Sequence, residues 1–422
     1  MSVAFDSNVD LTVSVAFDSN PYDESQTFTD ISQYVRGFTT KRGRTNELGN
    51  FVAGTCSLLL SNIDNRFNPN NTSSPYYDTA NQTTKIQPNK VVKITATYNS
   101  TEYPIFYGFL NTIPVAYPNS GADSVVQFNC VDAFKLLQSL TLQSAGWRVG
   151  QGGFSELGVS TVLGYEDVVE LSSERVTRLL DQVQFPNTLR NIDTGTINVQ
   201  SQSSGTGTVL SSIQQCETSE NAQFFIDDDG KATFRNRNYR LANTRATTVQ
   251  AYFSNDGTNL PYQNVVTTFD VNEVVNVYQW TRNGGTTQFV SDADSVLKYR
   301  PITSNQTTIN TNDSDVLSII QQKINETSIP IVRIDSLSVN PRQDTSIWDK
   351  ALGSKFGDRI SVKIVNPDNS SYTDELWIES ISHNVSSATQ SWNWTMTLSP
   401  ASSSGWVVGE ARLGIGTRLV YT

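Results

Sequence analysis

The chain has a single histidine, His383, and any Ser/His/Asp or Cys/His arrangement would have to be built on it. No Gly-x-Ser-x-Gly elbow accompanies it. It shares parity with Trp377, Ile381 and Val385 on a predicted strand, where a histidine packs at the rim of a buried face and moves no protons. Metal patterns of the HExxH or CxxC kind do not occur. The Asp227-Asp228-Asp229-Gly230 run suggests calcium at first sight. An EF-hand loop, however, alternates its acids and needs a bidentate Glu at its twelfth position, which here is Asn238. A type I′ hairpin turning at Asp229-Gly230 explains the run better. Gly43-Arg44 and Gly353-Ser354-Lys355 lack the spacing of a Walker loop. Glu166/Asp167 and Asp374/Glu375 come nearest to paired carboxylates for glycoside hydrolysis, and both read as loop acids. The expectation is a chain with no catalytic residues, no cofactor and no metal.

Charge narrows the partners. A net charge of −11 argues against a general nucleic-acid coat, which needs a basic face. Only Lys41, Arg42 and Arg44 cluster as cations, and a solvated loop or interchain salt bridges suit them better than phosphate. Cys56, Cys130 and Cys216 are odd in number and far apart, so a disulfide framework or metal site is not expected. Neither a signal peptide nor an apolar run of membrane-spanning length is visible, which suggests a chain made and kept in a cytoplasm until assembled.

At 422 residues the chain should divide into two to four domains. Only 17% of residues are charged, so the polar surface must come largely from Asn, Thr, Ser and Gln, which favour turns and strand faces. Residues 34–77 set the pattern. A strand signal at Tyr34, Val35 and Phe38 runs into the turn-rich cationic arm, and a second strand follows over 51–60. There Val52, Cys56, Leu58 and Leu60 share one face, with Leu59 the exception. Further strands are predicted over 91–98, 102–110 and 125–130, and then Asp132 caps a short helix carrying Ala133, Leu136, Leu137 and Leu140. Ser172 or Ser173 caps a helix with Val176, Leu179, Leu180 and Val183 on one stripe. Another helix carries Val209, Leu210, Ile213 and Cys216, and a hairpin follows over 223–237. Strands return at 274–280, with a helix capped by Asp313 or Ser314. Strands over 359–365, 375–385 and 391–398 close the set, the last alternating Trp392, Trp394, Met396 and Leu398 against Ser and Thr.

The arm, strand and Asn/Pro turn of 34–77, read as RGR…ELG…F.AGT…L.L.N.D.RF.P.N..SPYY, resemble the start of minor tail proteins of long-tailed bacteriophages, the tail-tip hub class in particular. The FGDRISVKI…LWIESISHNV…WNWTMTLSP stretch resembles the closing barrel of such proteins. The resemblance implies a mainly β chain with an α+β insertion: two tube-type antiparallel barrels or sandwiches and a small α/β domain. The corresponding divisions are an N-terminal extension over 1–23 with a repeated Ser-Val-Ala-Phe-Asp-Ser-Asn, a first barrel over 24–150, the α/β domain over 151–245, a second barrel over 246–400, and a tail over 401–422. The resemblance further implies a homotrimeric virion protein of the tail tip. Its partners would be the distal tail protein ring, the tape-measure protein and tip or fibre proteins, with DNA passing but not stably bound.

Two sets of residues are then candidate contact sites. Lys41, Arg42 and Arg44 would reach an acidic neighbour, and reversing their charges would block assembly while leaving the monomer folded. Trp406, Leu413, Leu419 and Tyr421 would dock the apolar tail on its own chain or on a neighbour. The alternatives are a hexameric distal tail protein and, from another class, a carbohydrate-binding adhesin using Trp392 and Trp394. A wall-degrading hydrolase ranks last.

Overall fold

A computed structural model describes residues 3–6, 9–21, 23, 25–141, 162–163, 170–200, 202–203, 207–270 and 273–401. Its frame is one fifteen-stranded, largely antiparallel sheet that wraps two cores. In the first half the spatial order is Val9–Ala16, Val91–Tyr98, Thr101–Thr112, Val125–Val131, Val52–Ser61 and Val35–Gly43. The short Thr29–Asp30 strand pairs with Ser14 and Val15 and leads through a single helical turn, Ser32–Tyr34, into Val35–Gly43, drawing the two ends of this set together. Inside lie Val13, Val15, Leu58, Leu60, Ile94, Phe106 and Phe128, all buried. The alternation that predicted these strands is the alternation that buries them. Val52 is the exception among the residues expected to face inward: the register slips between Lys41 and Gly43, opposite Val52, and leaves that side chain exposed. Val9–Ala16 pairs along its whole length with Val91–Tyr98 of the same chain, so the expected N-terminal extension supplies a strand of the first barrel.

The second half has the order Val249–Ser254, Arg359–Val365, Ser371–Ser386, Ser391–Pro400, Arg333–Val339 and Asn264–Thr268. Trp394, Met396, Ile378, Leu376 and Ile360 fill its interior. Two α/β units are set into this frame. In one, helices Ser172–Gln182 and Val209–Glu220 cover the sheet formed by Arg190–Ile192, Ala232–Arg235 and Gln223–Ile226. The other interrupts the stretch read from sequence as continuous barrel. Here Thr287–Ser291, Val277–Arg282 and Thr303–Thr308 pack under helix Asp313–Thr327 on a separate core of Tyr278, Trp280, Val316, Ile319, Ile320 and Ile324.

Caps and turns follow local chemistry, with small displacements. Asp132 caps Ala133–Ser139 by accepting from the Phe134 N–H at 3.0 Å, as expected. Helix Ser172–Gln182 starts one residue earlier than the serine caps implied, on Leu171, whose N–H donates to Glu174 at 2.9 Å. Asn312, rather than Asp313 or Ser314, caps the Asp313–Thr327 helix through the Asp315 N–H at 2.9 Å. The hairpin at residues 227–231 is wider than type I′. Gly230 has φ +86 while Asp229 stays at negative φ, and the Asp227 N–H reaches Lys231 O at 2.9 Å.

Candidate functional site

The distinctive place in this molecule is where the two halves are spliced. Strand Ser371–Ser386 spans both. Its first part pairs Ser371 through Trp377 with Val365 through Arg359, and its second part pairs Ser380 through Ser386 with Gly43 through Gly37. Against Ser391–Pro400 it pairs from Leu376 to Ser386, with a bulge at Glu379 between Ile378 and Ser380. The bulge falls where the partner changes. A bulge re-aims a side chain, and here it turns a carboxylate into the interior, where Glu379 is 1% exposed.

Two cations meet that carboxylate. Arg44 Nε donates to Glu379 Oε2 at 2.7 Å, and Arg240, from the α/β insertion, bonds Glu379 Oε1, as does the Ser399 hydroxyl. Arg44 also donates to the carbonyls of Glu47 and Gly49 and lies 4.9 Å over the Phe51 ring. The Arg240 guanidinium lies 4.4 Å over Trp377. Burial alone would raise the Glu379 carboxyl, but Arg240 and Arg44 outweigh it and hold it at about 2. Backbone fit is equally close. Gly43 has φ +115, and a Cβ there would lie 2.3 Å from Glu379 O. Only glycine permits this approach.

A second ionic group adjoins the first. Arg42 lies 3.6 Å from Asp228 and 3.9 Å from Asp227, Lys355 bonds Asp228, and Arg42 sits 5.2 Å over Phe356. The ligand atoms of Asp227, Asp228 and Asp229 gather within 4.8 Å, but the first two face these cations. Burial and the neighbouring Asp227 charge push the Asp228 carboxyl up, while Lys355 and Arg42 hold Asp227 down against burial. Further out, Arg245 forks onto Asp358 and Arg333 joins Glu47 and Glu273.

The cationic arm is therefore corrected in part. Arg42 and Arg44 are buried and paired with carboxylates of their own chain, because the turn-rich stretch continues the Val35–Gly43 strand into the splice. Lys41 alone of the three is exposed. The proposed tail residues Trp406, Leu413, Leu419 and Tyr421 lie outside the described residues. His383 is buried, and its Nδ1 accepts from Trp392 Nε1 at 3.2 Å. Burial, then Arg42, lowers its pKa to about 3, so it stays neutral. Sequence reasoning missed Glu379. The available signal was an acid between Trp377 and Ile381 on the apolar face of the strand, where strict alternation has no place for it.

Trp392 and Trp394, the candidates for sugar stacking, are both buried. A separate open groove of about 700 Å³ lies between helix Val209–Glu220 and the sheet around Thr303–Thr308. Among the described residues its lining is uncharged and polar and includes Gln214, Gln279, Thr281, Asn305 and Thr307. No described helix is long and apolar enough to cross a membrane.

No protein-family model matches the chain, and no curated protein is recognisably similar in sequence. Solved structures are similar in fold. The tail protein from Neisseria meningitidis MC58 superposes with a TM-score of 0.56 at 7% identity, over 93% of this chain and 96% of that one. The 43 kDa tail protein of prophage MuSo2 from Shewanella oneidensis gives 0.51 at 11% identity, over 93% and 99%. Coverage of both chains almost from end to end means that the likeness extends over the whole fold and not one part of it. The chain has the fold of phage tail proteins.

Proposed function

We propose that the chain is the tail-tip hub of a phage virion, a homotrimer that closes the tail tube and joins the distal tail ring to tip or fibre proteins. The observation that carries this reading is the splice: two barrels held in fixed register by one shared strand and a buried ionic lock. Three such subunits would present six barrels to a sixfold ring and leave a channel for the tape-measure protein and DNA. The net charge of −11 supports a channel wall that repels phosphate and lets DNA slide. Lys41 remains available for contact with an acidic neighbour. The fold likeness to tail proteins supports a structural role over an enzymatic one. The test is the copy number of this chain in intact particles by cryo-EM. Three copies are expected, and six would transfer it to the distal tail ring.

A second reading, carbohydrate adhesion, now rests on the neutral groove rather than on the tryptophans. Its amides and hydroxyls can each pair with sugar hydroxyls. Glycan-array binding that is lost in Gln279→Ala/Asn305→Ala would favour it.

A further inference from the structure

The open groove beside helix Val209–Glu220 has walls of one chemical kind and an aromatic ring at its rim. Helix Asp313–Thr327 covers one face of the sheet formed by Thr287–Ser291, Val277–Arg282 and Thr303–Thr308, and Tyr278, Trp280 and Val290 pack into that core. Alternation therefore turns Gln279 and Thr281 to the opposite face, and the register sets their neighbours there. Phe289, Gln279 and Asn305 make one row across the three strands, and Thr287, Thr281 and Thr307 make the next. Across the groove, Gln214 and Thr218 look out from one face of the helix. A row over three strands spans about 10 Å, which is longer than a single sugar ring.

Two features specify what can bind. Among the described lining residues none is charged, and the side-chain amides of Gln214, Gln279 and Asn305 hold no hydrogen bond within the chain. Each amide offers two donors and two acceptor lone pairs, which complement neighbouring hydroxyls. An anion entering here would lose water without meeting a cation. At the end of the same row Phe289 is 56% exposed, beside Gln279. A pyranose carries hydroxyls around its edge and C–H groups on its face, and the electron-rich face of an aromatic ring attracts those C–H groups. We propose that the groove binds an uncharged polysaccharide, one pyranose ring stacked on Phe289 and its hydroxyls bonded to Gln279 and Asn305. The groove's volume of about 700 Å³ is ample for such a segment, and its polar lining suits a polyhydroxy ligand over an apolar one. This inference rests on the adhesion reading of the groove. It adds the class of sugar and the residue that selects it, and it is independent of whether the chain is a hub.

The test is affinity electrophoresis of the full chain through native gels holding dextran, laminarin or galactomannan, with polygalacturonate as the anionic probe. At least one neutral polymer should retard the chain, and polygalacturonate should not. Phe289→Ala should weaken the apparent affinity about tenfold, while Phe289→Tyr, which keeps the ring, should retain it. Both variants should unfold in urea together with the parent, because the side chain is exposed. Retardation that survives Phe289→Ala but is lost in Gln279→Ala/Asn305→Ala overturns the stacking assignment and leaves the adhesion reading standing. Retardation by polygalacturonate alone overturns the assignment to a neutral sugar. Retardation by none of the neutral polymers, or retardation indifferent to all of these substitutions, overturns this inference and the adhesion reading together.

Discussion

The first barrel and the splice are both buried, but they are held by opposite chemistry. Inside the barrel, Val13, Leu58, Ile94, Phe106 and Phe128 pack against one another without a charge among them. At the splice, Glu379 and Arg44 are buried and Arg240 half-buried, with their charges matched. An apolar core stabilises in proportion to the area it removes from water and tolerates sliding by similar shapes. A buried ion pair adds little net stability, because desolvation offsets the attraction, but it penalises every arrangement that separates its members. The barrel interior therefore supplies cohesion. The splice supplies register, which an assembly subunit needs if two barrels are to meet a ring at defined positions.

Removing one partner should separate the two chemistries most sharply. Glu379→Ala takes the carboxylate from the buried Arg44 and the half-buried Arg240 and should cost about 3–5 kcal/mol in urea unfolding at pH 7. Replacing all three groups together (Glu379→Leu, Arg44→Met, Arg240→Met) should recover most of that loss. If the triple variant is as unstable as the single one, the ionic description of the splice fails. Phe128→Ala, in the apolar barrel interior, should cost about 3–5 kcal/mol as well, but with a different pH response. Glu379 has its folded pKa lowered, so its stabilisation is complete above the ordinary value of 4.5 and is lost as pH falls toward about 2. The deficit of Glu379→Ala should shrink across that window, whereas that of Phe128→Ala should not.

A smaller effect has the opposite sign. Burial raises Glu217 and Asp132 to about 7. Groups whose folded pKa is raised bind protons more tightly when folded, so stability falls as pH rises through the interval from the ordinary carboxylate range to about 7. Glu217→Gln should flatten that decline by up to about 1.4 kcal/mol per pH unit. An unchanged slope would show that the Glu217 carboxyl ionises freely in the fold. The smallest effect should come from Lys41→Glu, within about 0.5 kcal/mol of the parent in monomer stability because the side chain is exposed, yet with reduced incorporation into tails. Arg44→Glu, by contrast, should unfold the monomer. Equal behaviour of the two would erase the distinction drawn between exposed arm and buried splice.

Much of the secondary structure was legible from local pattern. The Ser391–Pro400 strand shows its two faces in Trp392, Trp394, Met396 and Leu398 against Ser and Thr, and Asp132 announces its helix by capping chemistry. Such signals need only neighbours within a few residues. The splice was not legible, because pairing of Ser380 with Gly43 joins residues hundreds of positions apart and no periodicity encodes a partner. For the same reason the separate core beneath Asp313–Thr327 was merged with the second barrel: its strands and helix have ordinary patterns, and only their packing sets them apart.

By itself, then, the order of residues in 34–77 determined two strands, a turn between them and a cluster of cations. Whether those cations faced outward lay beyond it, since Arg42 and Arg44 would read identically on a solvated loop. Tertiary structure decided that by bringing Glu379, Asp227 and Asp228 up against them. A charge can remain buried only where an opposite charge and hydrogen-bonding groups replace the water it loses, and that replacement exists only once distant strands have met.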